Sequence, residues 1–301
     1  MVLTSLLFGA FGLIVGSFLN VVILRSGVGS LTGRSSCMSC GAQIRAYDLV
    51  PVFSWLLLRG KCRACGSGIS IQYPLVELAT ALLFALIGGA PFPVGMLYRA
   101  LFCIIIAILI AITVYDFRHT IIPDAWAYTF AGMSFFVMGP LLMLLSPPGS
   151  DIVFYLFAGP IAASPLFFLW AISQGRWMGL GDVKLAFGIG WLLGPVPGIF
   201  SVMAAFVLGA LIMVPLLLVT RISESIGKNI RCTPLENKED HVFTTILQNR
   251  YAQIVNFLRL NSLTGLTMKS EVPFGPFLIA SCLIVWFMFL YFVPVPIPFF
   301  E

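Results

Sequence analysis

The chain has 301 residues, 59% of them hydrophobic and 10% charged, with a formal net charge of +5. A soluble domain carries roughly 45–50% apolar and about 25% charged residues, so this composition excludes an ordinary soluble enzyme or binding module and points to a multi-pass membrane protein. The positive balance reports topology and not nucleic-acid binding, because the Lys and Arg residues gather in two loops between apolar runs.

The first apolar run, 2–24, is long enough to cross a bilayer. No positive residue stands ahead of it and no small-residue cleavage pattern lies between Leu24 and Arg25, so it is expected to stay as a helix and not to be removed as a signal peptide. The loop that follows holds Arg25, Arg34, Arg45, Arg59, Lys61 and Arg63, together with two Cys-x-x-Cys pairs: Cys37 with Cys40, and Cys62 with Cys65. Each pair is followed directly by a glycine, Gly41 or Gly66, able to take the backbone angles that turn amides toward a thiolate. Four thiolates at this spacing predict a closed, structural zinc site. The alternative is two disulfides or four unrelated cysteines. A cytosolic loop disfavours disulfides, and a metal would hold together a segment with few apolar residues of its own.

Further spans are expected at about 74–87, 95–114, 125–145, 152–173, 183–193, 198–220 and 273–293, making about eight. The sixth is too short for a simple crossing and should be tilted, broken or shielded by neighbours. Arg221, Lys228, Arg231, Lys238, Arg250, Arg259 and Lys269 crowd the last long loop. Both basic loops are therefore expected in the cytoplasm, with Arg118 and Arg176 on the same side and Arg99 near an outer loop. Between 221 and 272, Val242, Phe243, Ile246, Leu247, Ile254, Val255 and Leu258 recur at helical spacing. They predict either an interfacial amphipathic helix or one packed on the cysteine module.

Two aspartates stand at the cytoplasmic ends of spans, Asp116 and Asp182. Taken singly, Asp182 could be a helix N-cap and Asp116 a solvated helix end. Taken together, a close pair of carboxylates cannot both ionise comfortably, so one keeps a proton while the other acts as base toward a shared water. That is the chemistry of peptide hydrolysis. Gly179 and Gly181 would let an extended substrate backbone lie beside Asp182. Asp124, after Pro123, suits helix capping as well as chemistry. His119 and His241 are too few and too far apart for a histidine metal centre, and Cys103, Cys232 and Cys282 read as unremarkable.

These residues resemble the type IV prepilin peptidases, the family whose aspartates lie in D-x6-P-D and G-x-G-D stretches, here 116–124 and 179–182. The likeness extends to Gly16-Ser17-Phe18-Leu19-Asn20-Val21-Val22, the double cysteine loop, Ser54-Trp55-Leu56, Tyr73-Pro74-Leu75-Val76-Glu77-Leu78 and Pro273-Phe274-Gly275-Pro276-Phe277-Leu278. Departures are Trp177 where a glycine often stands, Met38 for a common proline, Arg118 where some members carry an aspartate, and the long 221–272 insertion.

The resemblance implies an aspartyl endopeptidase of the bacterial inner membrane, its site facing the cytoplasm. It would cleave after a glycine between a basic leader and the apolar helix of a prepilin or pseudopilin. It also implies N-methylation of the new terminus, with S-adenosylmethionine as donor and Glu77 as candidate for holding the new amine. No glycine-rich nucleotide fingerprint accompanies that activity. The expected fold is an all-α, polytopic membrane helix bundle with a small zinc-stabilised cytoplasmic insert. It divides into a first transmembrane helix (1–24), a zinc-binding domain (25–72) and a peptidase domain (73–301) with its insertion at 221–272. Two other classes remain open: a non-enzymatic assembly or zinc-scaffold protein, and a proton-coupled transporter, which would place its acids near the bilayer midplane and not at span ends.

Overall fold

The computed structural model describes residues 2–26, 33–91, 95–145, 152–232 and 273–292. Among them the secondary structure is helical, with two isolated antiparallel bridges, Ser36 to Gln43 and Lys61 to Gly68. In chain order the helices are α1 (Val2–Arg25), α2 (Phe53–Leu57), α3 (Gln72–Gly89), α4 (Met96–His119), α5 (Asp124–Leu145), α6 (Ile152–Ser173), α7 (Leu180–Leu193), α8 (Pro195–Cys232) and α9 (Gly275–Phe292), with a 3-10 turn at Ala46–Leu49. Six are long and apolar enough to cross a membrane among the described residues: α1, α3, α4, α6, the Pro195–Pro215 part of α8, and α9.

Each of the eight expected spans has its helix. The sixth, α7, begins at Leu180, ahead of the expected Val183, yet still has only 14 residues. At 1.5 Å per residue that is about 21 Å, short of the ~30 Å hydrocarbon core. As expected of a shielded segment, Leu185, Ala186, Ile189 and Leu192 on α7 are fully buried, and α5, α6 and α9 pack against it.

The chain divides into two compact units, Met1–Ala205 with Pro273–Glu301, and Phe206–Val272. The helix of the seventh span does not stop at residue 220 but runs on to Cys232. The amphipathic stretch expected at 242–258 lies outside the described residues.

Apolar side chains gain nothing by leaving lipid for one another, so helices in a bilayer associate through close packing, and small residues permit it. On α1, Gly12 and Gly16 face α3: a Cβ at Gly12 would fall 2.7 Å from the Ala81 Cα, and one at Gly16 would fall 2.8 Å from the Glu77 Cα. Gly190 on α7 meets the Ala158 carbonyl on α6 in the same way. Backbone groups freed inside the bundle find side-chain donors. Pro160 cannot donate to the Leu156 carbonyl, and the Trp191 indole N–H does so at 3.3 Å. Pro165 leaves the Ile161 carbonyl to the Ser164 hydroxyl at 2.8 Å. Arg99, on the first turn of α4, closes the C-terminus of α3 by donating to the carbonyls of Ile87, Gly88 and Ala90 at 3.0, 2.6 and 2.9 Å.

Candidate active site and metal centre

Asp116 occupies the last full turn of α4 and is 3% exposed. The helix ends one turn later at Thr120, in left-handed backbone (φ 53°), whose N–H donates to the Asp116 carbonyl at 2.8 Å. The short link to α5 tucks Ile122 inward and ends at Pro123, whose carbonyl accepts from the N–H groups of Trp126 and Ala127 and so starts α5. The D-x6-P-D spacing thus reverses the chain directly beside Asp116.

Asp182 lies in the first turn of α7, 8% exposed. It is not the N-cap that one sequence alternative allowed: Gly179 holds that position in extended backbone (φ −75°, ψ 150°), with no side-chain cap. The two expected site glycines separate here. A Cβ at Gly181 would meet the Ile122 Cβ at 3.0 Å, so its bare face is filled by the α4–α5 link. Gly179 is open, its nearest neighbours being the Gly181 nitrogen at 3.9 Å and Asp182 Oδ2 at 4.0 Å from where a Cβ would stand.

α9 joins the two aspartates. It packs against both α4 and α7, and its first residue, Gly275, donates its backbone N–H to the Asp116 carboxylate. A Cβ on Gly275 would lie 2.5 Å from Asp116 Oδ2 and 3.2 Å from the Ile122 Cδ1. Ile122 is therefore a wall shared by Gly181 and Gly275, and the Asp182 carboxyl lies within the electrostatic reach of Asp116. Beside the pair, Lys184 Nζ donates to Asp124 Oδ1 at 2.7 Å and sits 5.1 Å from the Tyr128 ring centroid. Asp124 is thus the first residue of α5, exposed and tied to α7.

The four cysteines also converge. The two knuckles repeat one hydrogen-bond pattern: Cys37 N–H to the Ala42 carbonyl and Gly41 N–H to the Cys37 carbonyl, then Cys62 N–H to the Ser67 carbonyl and Gly66 N–H to the Cys62 carbonyl. Gly41 and Gly66 take φ of 71° and 72°, the left-handed angles expected of them. All four Sγ atoms lie within 4.8 Å of one another, and Cys37 and Cys65 are 3.9 Å apart. Tetrahedral Zn–S bonds of about 2.3 Å place sulfurs about 3.8 Å apart, so the set fits one ion. Backbone amides of Cys40 and Ser39, with the Ser67 hydroxyl, bring the Cys37 thiol down to about 6, and Ser67 lowers Cys65 by its side chain and backbone. Such donors favour the thiolate, the ligand form, at Cys37 and Cys65, whereas at Cys40, against the lowering by the Ala42 backbone, hydrogen bonds with the Cys65 and Cys37 sulfurs push the thiol up to about 11.

Two family models match the chain, the bacterial peptidase A24 N-terminal domain over residues 10–89 and the type IV leader peptidase family over residues 103–214. The chain is 34% identical over 212 residues to a prepilin leader peptidase/N-methyltransferase of Pectobacterium carotovorum subsp. carotovorum, covering 62% of this chain and 74% of that protein. This chain belongs to the type IV leader peptidase family. It is 32% identical to the prepilin leader peptidase/N-methyltransferase of Aeromonas hydrophila over 61% of this chain and 71% of the relative. It is also 34% identical to the type 4 prepilin-like proteins leader peptide-processing enzyme of Escherichia coli O78:H11, over 62% and 75%. No solved structure matches.

Glu77, the remaining candidate, stands apart from the aspartates. In this member of the leader peptidase family it is buried on α3, where it accepts the Val52 N–H at 2.7 Å and the Ser17 hydroxyl. On the same α1–α3 interface Asn20 donates to the carbonyls of Gly16 and Tyr73, at 3.3 and 3.2 Å. Its own Oδ1 is buried without a hydrogen-bond partner among the described residues. Sequence reasoning missed Gly275, Ile122 and Lys184. The resemblance singles out the Pro273–Leu278 stretch, but nothing in it signals a backbone amide aimed at a side chain on α4.

Proposed function

We propose that Asp116 and Asp182 are the catalytic pair of a membrane aspartyl endopeptidase that removes the basic leader from type IV prepilins or pseudopilins after a glycine. The observation that carries this assignment is the meeting of two buried carboxyls, from helix ends 66 residues apart, across Ile122 and the Gly275 amide. One carboxyl, protonated, polarises the scissile carbonyl. The other, ionised, takes a proton from the attacking water, and the roles exchange as the amine leaves. Gly179 leaves room for substrate backbone beside Asp182, and the Gly275 amide fixes the orientation of the Asp116 carboxylate. The basic loops support a cytoplasmic face for this end of the bundle, at a bacterial inner membrane, where a basic leader would remain while the substrate's apolar helix lies among the spans.

In this assignment residues 25–72 are the metal module and 73–301 the peptidase region. Zinc held by Cys37, Cys40, Cys62 and Cys65 would be structural, since four thiolates leave no open position. The family's second activity, methylation of the new terminus, would draw its methyl group from S-adenosylmethionine. Glu77 and the Asn20 Oδ1, unpaired among the described residues, are both acceptors, which suits the N–H groups of the new terminus; its nitrogen must be neutral when the lone pair takes the methyl group. No glycine-rich nucleotide fingerprint in the sequence marks a cradle for the donor molecule.

The test is the purified chain, reconstituted in vesicles with a prepilin and S-adenosylmethionine, with product masses read. A leader ending in glycine and a mature chain carrying one added methyl group are expected. Failure to cleave any of several prepilins would favour the scaffold alternative.

A further inference from the structure

Apart from the Val52 N–H on Glu77, residues 49–61 touch none of the groups named above for chemistry, yet they are held firmly and present apolar side chains outward. Phe53, Leu56 and Leu57 are 61%, 59% and 83% exposed, and Leu49 and Val50 are exposed too. On α2 the positions i, i+3 and i+4 share one face, so Phe53, Leu56 and Leu57 form a single apolar surface. The opposite side is anchored. Trp55 Nε1 donates to the Ile69 carbonyl at 3.2 Å, and its ring lies against Gly60, where a Cβ would fall 2.9 Å from it. Val52 and Arg59, at the two ends, adopt φ of 62° and 52°, angles that residues with side chains take only when surroundings impose them.

Depth decides what this surface meets. The Val52 N–H is bound by Glu77, five residues into the membrane-spanning α3, about one and a half turns from its start. Glutamate side chains on a helix lean back toward its N-terminus, which puts α2 level with the first turns of α3. The Gln72 side chain accepts from Arg118 at 2.8 Å, so the last turn of α4 reaches the same level. Just past the apolar face stand Arg59 and Lys61, both exposed and without an ion-pair partner among the described residues. An apolar face at the depth of a helix entrance, rimmed by exposed cations, complements the boundary between acyl chains and anionic headgroups.

We propose that α2 is a lipid anchor: Phe53, Leu56 and Leu57 enter the acyl boundary of the leaflet on the cysteine side, while Arg59 and Lys61 bind anionic headgroups. The metal module is thereby fixed to the membrane surface and not left on a free tether. The proposal is independent of the peptidase assignment.

The test uses the full chain with dansylalanine incorporated at position 57, in vesicles of phosphatidylethanolamine and phosphatidylglycerol, with metal content checked. The expected result is blue-shifted emission, quenched at least about twofold by acyl-brominated lipid, with weaker quenching when phosphatidylglycerol is omitted or when Arg59 and Lys61 are replaced by Gln. Water-like emission would overturn the proposal. Blue-shifted emission that brominated lipid leaves unquenched, or that appears only when prepilin is added, would overturn it in favour of a protein partner. Quenching indifferent to both lipid charge and the Gln variants would overturn the headgroup part.

Discussion

The backbone N–H of Gly275 holds the carboxylate of Asp116, and the same glycine leaves no space for a side chain, since a Cβ would fall 2.5 Å from Asp116 Oδ2. Gly275→Ala should keep the hydrogen-bond donor but push the carboxylate aside. A displacement near 1 Å at reacting groups costs about 100-fold in rate. The expected outcome is a fall of that order in kcat for leader cleavage, with KM and the unfolding temperature in detergent little changed.

Lys184 ties α7 to α5 through Asp124 at 2.7 Å, two residues from Asp182. Exposed pairs are worth about 0.2–1 kcal/mol, and Asp124 is largely exposed. Lys184→Met and Asp124→Asn should each slow cleavage by roughly two- to fivefold, and the double variant should be no slower than the worse single one. Additive losses would mean that the two side chains act separately.

The knuckle glycines offer a clean test of the metal site. A Cβ on Gly41 or Gly66 would touch nothing within 4 Å, so alanine there is penalised by the φ of 71° or 72° alone. Left-handed backbone costs an alanine about 1–2 kcal/mol. Either variant should release zinc to a chelator about tenfold more readily, as measured by metal content after competition. Cys62→Ser should abolish stoichiometric zinc.

Packing of α1 on α3 should be equally intolerant. Gly16→Leu places atoms where the Glu77 Cα already stands, 2.8 Å from an ideal Cβ, and overpacking of this kind costs about 1–3 kcal/mol or more. Gly132 on α5 meets nothing within 4 Å, and Gly132→Ala should be neutral or slightly stabilising. Unfolding temperatures of the two variants in one detergent give the comparison.

How far these features were legible differs from residue to residue. The spans and the cysteine cluster could be read because their signals are local: unbroken apolar runs, and two ligands three residues apart ahead of a glycine. The aspartates were legible as acids at span ends, and the fold buries both there. α7 starts three residues ahead of the expected Val183, because Gly181 and Asp182 have weak helical propensity and the helix start is set by tertiary packing, Gly181 lying against Ile122. That Gly181 lies against Ile122 is likewise set by the fold and not by its immediate neighbours in sequence. Gly275 was not legible as a site residue, because its part is played by a main-chain amide that any non-proline residue carries. Only the fold sets it against Asp116, 159 positions earlier in the chain.

The central claim is that two carboxyls act as one catalytic unit. The most direct test is leader cleavage by the reconstituted wild type, Asp116→Asn, Asp182→Asn and the double variant, each checked for folding by its unfolding temperature and zinc content. Loss of cleavage by at least about 10³-fold in either single variant, with no further loss in the double, is the predicted result. Near-normal cleavage by either folded single variant would contradict it.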